Sequence, residues 1–367
     1  MKRLIPQLII LSAIIIGCDK TEENIIWQGS FGQGRALSVQ TTGDSGFVSV
    51  GESLGSLYLL YLDEDKKKVL EYKPDIPGIL TSVHTGKGFF ITAGSSGGKM
   101  LLSRINMTGT VVWDTIFENN FKIDHTSLCW LGGENFLALG TPDPDSTVTS
   151  SSGLTFIWFN STGMISNRKD LLSTPFAAAK AVVTDNSGNI YLGLAKPGNG
   201  GNLKASVAKY NSLVQKIWEK DLYNNPAFGA ASLGITLDGA GNPVVTGRTG
   251  MQVSSGIETN TFIAKYYHSG DSVAKNYLEY SNTGSSVIPA DDNQFYVLNR
   301  RCLIVNIVDQ HMDYTGVIRT YSTCDSRNTE NFGNSVDITS DGNLIISGSQ
   351  GNNYYLVIKS SSALSPV

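Results

Sequence analysis

The sequence is poor in charge: Asp, Glu, Lys and Arg make up 16% of its 367 residues, against about 25% in an average soluble protein. Basic residues are in deficit, 28 against 32 acidic, which argues against a nucleic-acid partner, since phosphate binding needs a basic face. There are four histidines and four cysteines. They do not cluster, and none stands in the spacing of a zinc site, a metalloprotease helix or a catalytic thiol. A phosphate-binding loop and a nucleophile elbow are likewise absent. Beyond residue 24 there is no apolar run of about 18 residues to span a membrane. No stretch there carries a helical apolar period. Glycine (39 residues), with Ser, Thr and Asn, fills the gap, as in a chain of short strands and tight turns.

The N-terminus is the exception. Met1-Lys2-Arg3 is basic, and Leu4–Ile16 is apolar but for Pro6, Gln7 and Ser12. That run is too short to span a bilayer and suits a signal peptide. Ile15-Ile16-Gly17-Cys18 resembles the lipobox of bacterial lipoproteins. Gly17 and Cys18 fit it, while the two isoleucines depart from the usual leucine and small residue. The resemblance implies cleavage after residue 17 and acylation of Cys18. Residues 18–24, with Asp19, Glu22 and Glu23, then form an acidic tether, and residues 25–367 form the folded domain. Each buried CH₂ of an acyl chain contributes about 0.8 kcal/mol, so several chains anchor stably to a lipid bilayer. Acidic residues after the cysteine resemble the surface-export signals of Bacteroidetes-type lipoproteins. Enteric-type sorting would instead hold Asp19 at the inner membrane. The expected address is the outer membrane, either surface-exposed or facing the periplasm.

The remainder repeats. Its clearest unit, Ala181–Leu222, reads as four strands around Val182-Val183, Ile190–Leu192, Ala205–Tyr210 and Lys216–Trp218. A small residue near the end of each second strand recurs as Gly51, Gly94, Gly140, Gly193, Gly247, Asn299 and Gly348. The intervals are 43, 46, 53, 54, 52 and 49 residues. Seven anchors at a period near 50 predict an all-β, seven-bladed β-propeller of four-stranded antiparallel blades. Third strands are also alike, among them LYLLYLD (57–63), MLLSRIN (100–106) and SVAKYN (206–211). The seventh unit stops after its third strand, whereas the folded region begins with an orphan strand, Ile25–Gln28. That orphan matches the fourth strands at Val111–Asp114 and Lys216–Glu219. It is predicted to complete the last blade and close the ring, removing a free sheet edge.

Residues 25–367 resemble the repeat-built propellers of Bacteroidetes-type lipoproteins and secreted proteins. Trp27, Phe31, Gly32, Ser38, Val39, Gly46, Phe47, Val48 and Gly51 match their unit at the start. Ser335, Val336, Thr339, Asp341, Gly342, Asn343 and Gly348 match it at the end. The resemblance implies architecture and says little of activity.

Cys302 and Cys324 flank one predicted hairpin of the sixth unit and are expected to form a disulfide. Closing a loop of about 20 residues stabilises by roughly 3 kcal/mol in the chain-entropy model. Cys129 reads as a small core residue. The acidic groups Asp63-Glu64-Asp65, Asp143-Pro144-Asp145 and Asp291-Asp292-Asn293 lack the spacing of a calcium loop and read as turns. Phe156–Phe159 reads as packing between blades. No catalytic, cofactor-binding or metal-binding residue is assigned. Thr141–Gly153, Lys196–Lys204 and Met251–Asn260 are long second-to-third connections on one rim, where a rigid fold carries binding function. The expected function is a monomeric, membrane-anchored, non-catalytic binding or assembly module with an envelope protein or glycan partner. Two alternatives are a glycan-binding or glycan-processing propeller and an outer-membrane assembly factor. The segment Thr108–Trp113 resembles the repeat ending of that assembly family and of quinone-dependent dehydrogenases.

Overall fold

A computed structural model describes residues 25–362 apart from 120, 143–152, 173–177, 199–201, 224–228, 254–255, 279–282, 291–292, 301–302, 320–330 and 351–353. Every helix or strand among these residues is a strand. The orphan strand β1 runs Ile25–Gln33. Blade 1 is β2 (Arg35–Thr41), β3 (Phe47–Ser53), β4 (Ser56–Leu62) and β5 (Lys68–Tyr72). Blade 2 is β6 (Ile79–Gly86), β7 (Phe89–Ser96), β8 (Lys99–Asn106) and β9 (Val111–Phe117). Blade 3 is β10 (His125–Gly132), β11 (Asn135–Thr141), β12 (Gly153–Asn160) and β13 (Ile165–Leu172). Blade 4 is β14 (Ala178–Thr184), β15 (Ile190–Pro197), β16 (Leu203–Tyr210) and β17 (Lys216–Tyr223). Blade 5 is β18 (Ala230–Leu237), β19 (Pro243–Val253), β20 (Gly256–Tyr266) and β21 (Ser272–Leu278). Blade 6 is β22 (Gly284–Pro289), β23 (Phe295–Asn299), β24 (Ile304–Val308) and β25 (Tyr314–Arg319). Blade 7 is β26 (Asn331–Ile338), β27 (Leu344–Gln350), β28 (Tyr354–Ser360) and, as its outer strand, β1.

Each blade is an antiparallel meander in chain order, and the pairing of β1 with β28 closes the ring. That strand is longer than the sequence indicates: Ile25 lies opposite Ser360 and Gln33 opposite Tyr354. Blades are buried on both faces, so their middle strands read as nearly unbroken apolar runs such as Leu57–Leu62. The core is accordingly divided into layers between neighbouring blades. Phe156 packs with Leu192 and Leu194 of blade 4, while Ile157 and Phe159 pack with Ile91 and Leu102 of blade 2. This is the packing read for Phe156–Phe159. The closing layer joins Phe47, Tyr58 and Leu60 of blade 1 to Ile345, Tyr355 and Val357, with Trp27 and Phe31 of β1 against it.

The repeating anchor has a steric cause. In blades 1, 2, 5 and 7 the inner strand bulges immediately after the residue that faces the glycine, at Leu37, Thr81, Leu233 and Asn334. A Cβ on Gly51, Gly94, Gly247 or Gly348 would lie 1.8–2.0 Å from the carbonyl oxygen of Arg35, Ile79, Ala231 or Phe332. Blade 6 exchanges the two partners: Asn299 takes the anchor place and Gly284 stands opposite it. Asn299 is fully buried, and its Oδ1 accepts a hydrogen bond from Thr261 Oγ1 at 2.8 Å.

Basic and aromatic side chains latch one blade to the next. In blade 2, Arg104 Nη1 and Trp113 Nε1 both donate to the carbonyl of Ser161 in blade 3, at 3.0 and 2.9 Å. In blade 4, Lys209 Nζ and Trp218 Nε1 donate to the carbonyl of His268 in blade 5, at 3.2 and 3.0 Å. This explains why Lys or Arg recurs close to the end of a third strand, as Arg104, Lys209 and Lys265 do. Gly348→Ala is expected to lower stability by about 2–3 kcal/mol through overpacking, read by urea unfolding. Gly43→Ala, whose added methyl meets nothing within 4 Å, is expected to change it by less than about 0.5 kcal/mol.

Candidate functional site: the central channel and the two rims

The seven inner strands surround a small axial cavity of about 190 Å³. Its wall takes residues from every blade and is rich in serine, with Ser38, Ser82, Ser127, Ser286 and Ser335 among them. Ser82, Ser127 and Ser335 stitch one inner strand to the next. Ser335 Oγ accepts from Val39 N at 3.4 Å, and Asp337 Oδ2 accepts from Thr41 N at 2.8 Å, across the closing junction. Gln40 Oε1 accepts from Thr85 N at 2.7 Å. Thr81 Oγ1 and Ser82 Oγ accept from Thr126 N and Leu128 N at 3.0 and 3.1 Å.

The third and fourth blades are joined through His125. Its Nε2 lies 3.0 Å from the Lys180 carbonyl and 3.1 Å from Ser127 Oγ, and Ser127 Oγ donates to the same carbonyl at 2.6 Å. Because this hydroxyl is spent on a backbone oxygen, the pair is a structural bridge and not an activated nucleophile. Burial, with the Lys180 charge nearby, pushes the His125 imidazole down to about 3. Burial alone pushes His84 down to about 4. That ring stacks on Trp130 at 5.8 Å and meets Phe136 edge-on at 5.1 Å. Sequence reading assigned nothing to these two histidines, because neither contact follows from spacing along the chain. His268 and His311 lie exposed in third-to-fourth strand turns.

Antiparallel alternation sends all second-to-third connections, and the links between blades, to one end of the ring. First-to-second and third-to-fourth turns lie at the other end. On the first rim, Met251–Asn260 is not the loop read from sequence. β19 and β20 stay paired out to Val253 opposite Gly256. The flanking strands end earlier, β18 opposite Thr249 and β21 opposite Thr261. The paired strands of this hairpin therefore run on beyond the ends of their flanking strands. In the unit-four connection, β15 and β16 pair as far as Pro197 opposite Leu203. A groove of about 620 Å³ on this rim is bordered by Arg35, Glu52, Leu54 and Gly78, with Arg35 Nε 3.0 Å from Glu52 Oε1.

On the second rim, a larger groove of about 790 Å³ lies between blades 5 and 6. Asp238 and Lys265 pair at 2.9 Å at its base, with both side chains nearly buried. Asp238 is held below the usual carboxylate range by that ammonium and by bonds from Asn242, against the opposing cost of burial. Asp63 behaves as a turn residue, its Oδ1 accepting from Lys67 N at 2.9 Å. Cys129 is half-buried against the layer between blades 3 and 4, and burial raises its thiol. Cys18, Cys302, Cys324, Asp143–Asp145 and Asp291-Asp292 lie outside the described residues.

The two depressed histidines set the acid response. Each binds a proton in the unfolded chain near 6.5 but not in the fold until about 3 or 4. Their contribution is thus complete above pH 6.5 and is lost as the pH falls toward those values. Between pH 6.5 and 4.5 stability is expected to fall by up to about 1.4 kcal/mol per pH unit for each histidine. His125→Gln is expected to remove one such slope in urea titrations over this window.

No protein-family model and no curated protein matches the sequence. Among solved structures, the Pan2 WD40 domain of Neurospora crassa is similar with a TM-score of 0.60 at 12% identity, over 90% of this chain and 91% of that one. The structure of U3-55K is similar with a TM-score of 0.61 at 12% identity, over 92% and 99%. A protein of unknown function from Bacteroides caccae gives 0.50 at 12% identity, over 78% and 94%. At such identities the likeness concerns the fold alone, and together with seven four-stranded sheets in a closed ring it establishes a seven-bladed β-propeller.

Proposed function

We propose that this chain is an envelope lipoprotein, held to the outer membrane by acylated Cys18, whose propeller is a non-catalytic binding module for an envelope protein. The observation that carries the reading is the hairpin of β19 and β20, which among the described residues runs beyond β18 and β21 with no flanking strand on either side. Unpaired strand edges on a rigid ring offer main-chain donors and acceptors to a partner segment. The second strands of units three and four end on the same rim, at Thr141 and Pro197. The lipobox-like Ile15-Ile16-Gly17-Cys18 supports the membrane address, and the tether of residues 18–24 keeps the ring near the surface.

Cys18→Ala is expected to abolish incorporation of labelled palmitate and to move the protein from the membrane pellet to the soluble fraction. A second variant joins Thr249 to Thr261 through an Asn-Gly turn. Affinity capture from gently cross-linked cells is expected to yield a reproducible set of envelope proteins with the parent chain and to lose it with this variant. Retention of palmitate in Cys18→Ala would refute the anchor. An unchanged capture set without the hairpin would refute its role.

A further inference from the structure

Blade 5 and its junction with blade 6 differ in two places from the junctions of blades 2 and 3 and of blades 4 and 5, and the differences fall beside the 790 Å³ groove, which Lys265 and Tyr267 line. The first is the cover over the latch. Trp113 lies opposite Arg104, and Trp218 opposite Lys209, each indole resting on a glycine of the next blade. A Cβ on Gly163 or Gly270 would lie 2.9 or 3.0 Å from the ring. In blade 5 the residue opposite Lys265 is Ala274, and the glycine's place is taken by Met312, fully buried in the same apolar layer. Volume moves from the outer strand into the turn, and no indole covers the latch.

The second departure is in the turn itself. In five blades the turn after the third strand is headed by Asp63, Asn106, Asn160, Asn211 or Asp309, whose side chains accept backbone N–H bonds from within the turn. Such side-chain caps are why Asx residues favour turns. Blade 5 alone among these has an aromatic residue there, Tyr267, which is 51% exposed and lines the groove. A phenol ring cannot make the cap, so the turn gives up two backbone partners and exposes an aromatic face. Local rules broken together at one concave place mark a site shaped for something other than stability.

We propose that this groove binds a neutral saccharide, with the Tyr267 ring as the surface on which a pyranose stacks and the amides of Asn293, Gln294 and Gln310 as hydrogen-bonding partners for its hydroxyls. A sugar ring presents C–H groups on one face and hydroxyls around its edge. An exposed aromatic plane suits the first. Amides, which donate and accept at once, suit the second. Among the described residues lining the groove, the carboxylate and the ammonium, Asp238 and Lys265, pair with one another at 2.9 Å. Its volume lies within the roughly 300–1,000 Å³ of small-molecule sites. The site lies on the rim opposite the projecting hairpin and does not depend on the proposed anchor or protein partner.

The test uses the full chain extracted in a non-glycoside detergent, titrated by calorimetry with four neutral hexasaccharides: α-linked glucose, β-linked glucose, mannose and xylose. At least one is expected to bind saturably at one per chain. Tyr267→Asn is expected to weaken that binding at least tenfold while the thermal midpoint holds or rises, because asparagine restores the turn cap. Gln294→Ala, an unburied position, is expected to weaken it severalfold and decides the matter if Tyr267→Asn unfolds. No saturable binding by any of the four at about 10 mM, or binding that well-folded variants leave unchanged, would overturn the proposal.

Discussion

The pairing of β1 with β28 is the constraint on which the ring depends. Each blade presents two apolar faces, and a blade without a neighbour on either side would leave one of them in water. Six of the junctions are formed by consecutive segments and close as the chain runs on. The seventh needs residues from both ends of the domain: Ile25–Gln33 against Tyr354–Ser360, then Trp27 and Phe31 against Phe47 in the closing layer. Until that pairing forms, β28 is an unpaired edge. Asp337, bonded to Thr41, and Asn334, bonded to the Ala36 carbonyl, fasten the inner end of the same junction.

Around this closure the inner and outer margins of the blades are held by different chemistry. Near the axis the strands come close enough for serine, threonine and histidine side chains to bridge backbones, and glycine is needed where a carbonyl presses on the second strand. Further out, long cationic side chains and tryptophan reach across a wider gap to the next blade's turn. Both margins are polar and cross-linked between blades, which makes the ring a rigid frame. Function is then left to what the frame carries on its rims.

Much of this was legible in the sequence because the physics is local. A Gly beside an inner-strand bulge, an Asx at the head of a turn and a doubly buried apolar strand each leave a short pattern, repeated seven times with few lapses. Trp27 could be aligned with Trp113 and Trp218 before any geometry was known. What stayed hidden depends on partners distant in sequence. The exchange of Asn299 and Gly284 reads only as a missing anchor until the strands are paired. His125 meets the Lys180 carbonyl 55 residues on, and Ala274 has meaning only beside Met312. The extra length after Thr249 reads as a loop because Gly250, Ser254, Ser255 and Gly256 interrupt it, although the strands continue through Val253.

The closure is tested most directly by native-state hydrogen exchange. The amides paired between residues 25–33 and 354–360 are expected to exchange only on global unfolding, with the same denaturant dependence as those between Ile190–Ala195 and Ala205–Tyr210. Exchange of β1 and β28 through a separate, lower-energy opening would show that the ring holds without its closing pair, and would contradict the dependence argued here.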